Sequence, residues 1–184
     1  MNTVSSKQAV VVMDMLNDFL SGELKCERAG RIVPDLQRLL TGARAAGVPV
    51  IYSRDAHLPV DFELRIWGEH AMAGTPGAEV IPELAPQDGD FDIPKRTYSG
   101  FHDTGMDQLL RGLGIDTLVI TGVHTHICGL HTAADALFHG YQIIVVTDGI
   151  SAFTAEDQEY GLEYMEKVFG ARMVSTDELL AEWG

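Results

Sequence analysis

At 184 residues, with 46% hydrophobic and 22% charged side chains, the chain has the size and make-up of one globular domain spanning 1–184. That length buries a core without disulfide or metal staples, and the composition excludes disorder or low complexity as a description of the whole. Thirteen basic against 27 acidic side chains leave −14 at pH 7, and the longest basic run is Lys95-Arg96, so nucleic acid and anionic membrane are poor partners and solubility is the plain reading of the charge.

Ala9 to Met13 is a short apolar run that reads as a buried strand. It is too short for a signal-peptide core and is followed at once by Asp14. No run approaches the roughly 18 apolar residues of a membrane helix, so a cytoplasmic location is expected. Ile32 to Ala46 has helical spacing, with Ile32, Leu36, Leu39, Leu40 and Ala43 on one face and Gly47 as a stop. Val48 to Tyr52 is a second strand. Ser53 to Pro76 is irregular and rich in His, Trp and acid, and loops of that length tend to carry function.

Ala78 to Leu84 reads as a short helix despite Pro82, and Phe91 to Ile93 as a short strand. Met106 to Leu113 is helical up to Gly114, Thr117 to Thr121 is a strand, and Gly129 to Phe138 is a helix with Leu130, Ala133, Ala134 and Leu137 inward. Gln142 to Thr147 is a strand, Ala155 to Phe169 a long helix, Met173-Val174 a last strand and Thr176 to Ala181 a terminal helix. Strands alternating with helices require crossover connections. The predicted fold is a three-layer α/β/α sandwich with a mostly parallel sheet.

Ligands of such sheets bind beyond the carboxyl ends of the strands. Asp14 follows the first strand, Asp55 and His57 the second, Lys95 the third, and Gly122 to Cys128 the fourth. An acid, a lysine and a cysteine thereby meet at one edge. At a helix start beside Lys⁺ the sulfur of Cys128 is expected to be ionised, with Asp14 handling its proton. Taken by itself, Cys128 fits a small buried hydrophobe equally well. Its partner in sequence, Cys26, lies far away in no zinc spacing, and both are expected to be free thiols. Asp55, His57, Glu63 and His70 form a donor set suited to zinc, iron or manganese, although their spacing fits a solvated polar loop as well.

Four segments together resemble the isochorismatase-like cysteine hydrolases, and among them the metal-containing nicotinamidases and pyrazinamidases. The first is Val11-Val12-Met13-Asp14-Met15-Leu16-Asn17-Asp18-Phe19, and the second is the turn Gly74-Thr75-Pro76-Gly77. The third is Lys95-Arg96-Thr97-Tyr98-Ser99-Gly100-Phe101, and the fourth is Gly122 to Cys128 with Thr132-Ala133-Ala134-Asp135-Ala136 behind it. The match spans nearly the whole chain. It departs at His126, where many relatives carry Asp, at Gly129, where Val is usual, and at His124, where smaller residues are common.

The resemblance implies a catalytic triad of Asp14, Lys95 and Cys128, and a cis peptide between Val123 and His124. It implies an oxyanion hole from the backbone N–H groups of His124 and Cys128, and a ring pocket lined by Phe19, Trp67, Tyr98 and Ile127. It assigns Asp55, His57, Glu63 and His70 to a divalent metal ion, zinc first. Isochorismatases proper lack that set, which points away from isochorismate. The implied reaction is hydrolysis of a small carboxamide to acid and ammonia through a cysteine thioester, with nicotinamide as the first substrate. An N-carbamoyl compound or ureide is the alternative amide, and a non-catalytic, metal-stabilised binding protein is the alternative class. The resemblance also implies a homo-oligomer, dimer or tetramer.

Overall fold

The computed structural model describes residues 7–184. Its strands are β1 (Gln8–Met13), β2 (Val50–Asp55), β3 (Phe91–Lys95), β4 (Thr117–Val123), β5 (Gln142–Ser151) and β6 (Arg172–Val174). They form one sheet in the order β3-β2-β1-β4-β5-β6, and every neighbouring pair is parallel. The sandwich expected from the sequence is therefore present, with a wholly parallel sheet. The helices are α1 (Asn17–Leu20), α2 (Val33–Ala45), α3 (Leu64–Trp67), α4 (Met106–Leu113), α5 (Leu130–Phe138), α6 (Ala155–Phe169) and α7 (Thr176–Trp183).

Side-chain alternation along β1 explains the three layers. Val10 and Val12 point into one core with Leu36, Leu39 and Leu40 of α2 and Leu179 of α7. Ala9, Val11 and Met13 point into the other, with Met106 and Leu110 of α4, Ala133 and Ala136 of α5 and Met165 of α6. Both faces of β1 are dry, so the run is continuously apolar rather than alternating.

Several boundaries differ from the sequence reading. The 78–84 stretch is not an α-helix; it is split into single 3₁₀ turns at Pro76–Ala78 and Pro82–Leu84, because Pro82 cannot donate within a continuing helix. Strand β5 runs on to Ser151, past an Asp148-Gly149 pair that reads as a turn. On α5, Leu137 is 38% exposed, and Thr132 and Ala136 take the inward positions with Ala133. Among the described residues, no helix is long and apolar enough to cross a membrane.

The chain winds outward from β1 to β3, returns, and winds the other way from β4 to β6. The crevice between the carboxyl ends of β1 and β4 is thus the topological switch point. Gly122 makes that crevice possible. It pairs with Met13, its φ is +97°, and a Cβ there would lie 2.0 Å from the Met13 carbonyl oxygen.

Candidate active site

Asp14, Asp55 and Lys95 stand at the ends of β1, β2 and β3, at one edge of the sheet. Asp14 Oδ1 accepts from the Asp55 backbone N–H at 2.7 Å, which fixes the carboxylate. Lys95 Nζ lies 2.9 Å from Asp14 Oδ2, donates to Asp55 Oδ1, and reaches Cys128 Sγ at 3.7 Å. An oxygen of Asp14, an oxygen of Asp55 and the sulfur of Cys128 all lie within 4.8 Å of one another. Lys95 is 2% exposed, so its charge persists there only because two carboxylates flank it.

Those neighbours set the protonation states. Burial, and then the charge of Asp55, raise Asp14 to about 6. Burial raises Asp55 too, but Lys95 and His57 outweigh it and hold that carboxyl at about 2. Burial drives the Cys128 thiol well above its ordinary range; Lys95 opposes this, and the two carboxylates add to it. At the sulfur two influences thus oppose one another: burial and the carboxylates favour the thiol, and the Lys95 ammonium favours the thiolate that the sequence led us to expect.

Cys128 belongs to a π-helical turn, Thr125–Gly129, that precedes α5. The Val123–His124 peptide entering it is cis, as the resemblance implies. The His124 carbonyl accepts from Ile127 N and Gly129 N, each at 3.0 Å, rather than from Cys128. Helix α6 clamps the turn: Thr125 Oγ1 donates to Gln158 Oε1 at 2.6 Å, and Gln158 Nε2 donates to the Ile150 carbonyl at 3.0 Å.

Asp55, His57, Glu63 and His70 also converge. One donor atom from each lies within 4.8 Å of the others, and all four residues are buried. His57 Nε2 and Glu63 Oε1 are buried without a hydrogen-bond partner, although unpaired buried polar atoms are costly. Both imidazoles are held from behind. Asp61 Oδ2 sits 3.3 Å from His57 Nδ1, and the Gly68 carbonyl sits 2.9 Å from His70 Nδ1. Metal-ligating histidines are oriented in this way. The set fits a divalent ion.

The Asn17-Asp18-Phe19 segment supports this cluster from α1. Asp18 Oδ2 accepts from the Ala71 N–H at 2.7 Å, and Asn17 Nδ2 donates to the Pro76 carbonyl at 2.8 Å, pinning the loop that carries His70. Phe19 packs edge-on against His70 and His124.

A narrow cleft of about 20 Å³ opens onto Cys128 and is also lined by Asp55, Glu63 and His70. Phe19, Trp67, Tyr98 and Ile127 all line it, together with Leu24, His124 and Phe153. Trp67 stacks on Phe153 with centroids 6.0 Å apart and donates to Tyr98 Oη at 3.1 Å. Asp61 and Phe153 escape the sequence reading: Asp61 is one acid among many in its loop, and Phe153 arrives from the far end of β5. His126 and His131 turn elsewhere, toward Asp157 and the Ile127 carbonyl.

Residues 8–178 match the isochorismatase domain. The chain is 43% identical to N-carbamoylsarcosine amidase from Thermoplasma acidophilum, with a TM-score of 0.88 over 93% of this chain and 97% of that one. It is 30% identical to the nicotinamidase PncA from Bacillus subtilis, with a TM-score of 0.87 over 92% and 99%. It is also 30% identical to a pyrazinamidase of Pyrococcus horikoshii solved in complex with zinc, with a TM-score of 0.86 over 92% and 99%. Sheet order, motif positions and these likenesses lead to one assignment: the chain belongs to the isochorismatase family of hydrolases.

Proposed function

We propose that the chain is a cysteine amidohydrolase that converts a small neutral carboxamide, nicotinamide first, to the acid and ammonia. The observation that carries this reading is the meeting of Asp14, Lys95 and Cys128 behind an aromatic-lined cleft. Cys128 Sγ attacks the amide carbon while its proton passes to Asp14. Lys95 stabilises the sulfur as it loses the proton. The backbone N–H groups of His124 and Cys128 receive the oxyanion, an arrangement worth roughly 3–4 kcal/mol per donor in comparable sites. Asp14 then passes the proton to the departing nitrogen, ammonia leaves, and a Cys128 thioester remains. Asp14 next takes a proton from water, the hydroxide displaces the sulfur, and the acid departs as Cys128 regains its proton.

Asp55, His57, Glu63 and His70 would hold the divalent ion, zinc first and iron or manganese next. When bound, it supplies a Lewis-acid anchor for a lone pair of the substrate. A neutral substrate is favoured because the cationic side chain beside Cys128, Lys95, is already engaged by Asp14 and Asp55. The 184 residues act as one domain. Two unbridged buried thiols suit a reducing compartment, the cytoplasm. The exposed Val60, Phe62 and Ile66 beside the donor loop support self-association as a dimer or tetramer.

The second reading is an N-carbamoyl compound or ureide. It is favoured by the likeness to N-carbamoylsarcosine amidase. An ammonia-release panel on metal-loaded protein decides. Nicotinamide as the fastest substrate supports the first reading, and ammonia from carbamoyl compounds alone supports the second. Bound metal with no ammonia from any amide leaves a binding protein.

A further inference from the structure

We infer that the His124 side chain is a specificity-determining group: its imidazole hydrogen-bonds the polar function of the substrate that does not react, and so selects amides that carry one. This rests on the amidohydrolase reading and adds to it the identity of the residue that reads the substrate.

His124 is 2% exposed, and its Nε2 is buried with no hydrogen-bond partner. Its ring is held flat on Phe153 at a centroid distance of 3.9 Å, and the edge of Phe19 closes in at 5.3 Å. His124 is one of the residues that line the same cleft as Cys128. Most of the other polar groups there already have a partner. His70 Nδ1 faces the Gly68 carbonyl, Tyr98 Oη accepts from Trp67, and Asp55 accepts from the Lys95 ammonium. Glu63 belongs to the four-residue donor set. Among the described residues that line the cleft, His124 Nε2 is thus the buried polar atom left without a role.

Stacked between aromatic rings, the imidazole has little freedom to seek a partner elsewhere, so a partner must come to it. A neutral imidazole gives one hydrogen bond through one nitrogen and takes one through the other. A site built around such an atom accepts a ligand that satisfies it and rejects an isostere that leaves it bare. The ligand class is a small, planar, neutral carboxamide with a second hydrogen-bonding atom across from the reacting carbonyl.

The test uses isosteric pairs that differ in that atom: nicotinamide against benzamide, and glycolamide against propionamide. kcat/KM for ammonia release is measured on metal-loaded wild type, His124→Phe and His124→Gln. Wild type should favour the polar member of a pair by at least about tenfold. His124→Phe, which keeps the stacking and the metal site, should cut the ratio at least severalfold, mainly through KM of the polar member, and leave only the part that the metal supplies. His124→Gln should restore part of it. Both members are measured on one preparation, so a loss of folded protein cancels in the ratio. If the variants turn over too slowly, calorimetric binding of the same pairs to Cys128→Ala, with and without His124→Phe, gives the ratio. A polar preference left unchanged by His124→Phe overturns the inference while the amidohydrolase reading stands. A wild type that releases ammonia from no amide removes both.

Discussion

Asp61 Oδ2 lies 3.3 Å from His57 Nδ1, which turns the other ring nitrogen, Nε2, toward Asp55 and Glu63. The same carboxylate accepts from the Leu58 N–H at 2.9 Å and is gripped by Arg96, which keeps it ionised and in place. Asp61→Ala should therefore loosen the imidazole without removing any member of the donor set. Outer-shell losses of this kind cost roughly 10–100-fold in metal affinity. Competition against a chromophoric chelator reads the effect directly; an affinity within twofold of wild type would show that Asp61 plays no part in orienting His57.

Cys128 is the nucleophile in the proposed mechanism, and it lies outside the four-residue donor set. Cys128→Ala should abolish ammonia release and leave metal content unchanged. Removing one buried sulfur should move unfolding stability by no more than about 1–2 kcal/mol. Metal analysis, a denaturant midpoint and an ammonia assay on one preparation check all three. Hydrolysis retained by the variant would refute covalent catalysis by this thiol.

Much of this geometry can be read in advance because strand ends are simple to see. Ala9 to Met13 stops at Asp14, and in a parallel sheet the residue after an apolar run lands at the ligand edge. Asp55 and Lys95 follow the same rule, although both prove to be the last residues of β2 and β3 rather than loop residues. Resemblance was needed for the donor set, because spacing alone allows a solvated loop. What stays hidden depends on tertiary contact. Phe153 reaches the cleft only because β5 continues through Asp148-Gly149, where local propensity predicts a turn. The opposing pull on the Cys128 proton is hidden for a related reason: the helix start and Lys95 are visible in sequence, whereas the burial that works against them is not.

Activity should fall on the acid side. In the mechanism Asp14 must be ionised to take the thiol proton, and burial together with Asp55 raises it to about 6. Protonation of Asp14 removes the base, so kcat/KM should rise with pH through that region and flatten above it, provided a substrate without its own titration there is used. Asp14→Asn should remove turnover at every pH. An acid limb lying near pH 4, where an unperturbed carboxyl titrates, would mean that the buried charge pattern of Asp14, Asp55 and Lys95 does not control the step.

Gly122 ties fold to site more tightly than any side chain in the crevice. A Cβ there meets three backbone atoms of Met13: the carbonyl oxygen at 2.0 Å, the nitrogen at 2.7 Å and the carbonyl carbon at 2.8 Å. None of these can yield without moving β1, and φ is +97° besides. The register between β4 and β5 also shifts between Ile120 and Gly122, so the strand is already irregular at the point where it turns toward Cys128. Gly122→Ala must either part β1 from β4 or flatten that bend. The expected cost is about 2 kcal/mol or more, from left-handed backbone and overpacking together. Because Asp14 follows Met13 directly, turnover should drop by more than the loss of folded protein explains. Urea unfolding and kcat per folded molecule separate the two effects, and a variant as stable and as active as wild type would mean that the two strands do not need their close approach here.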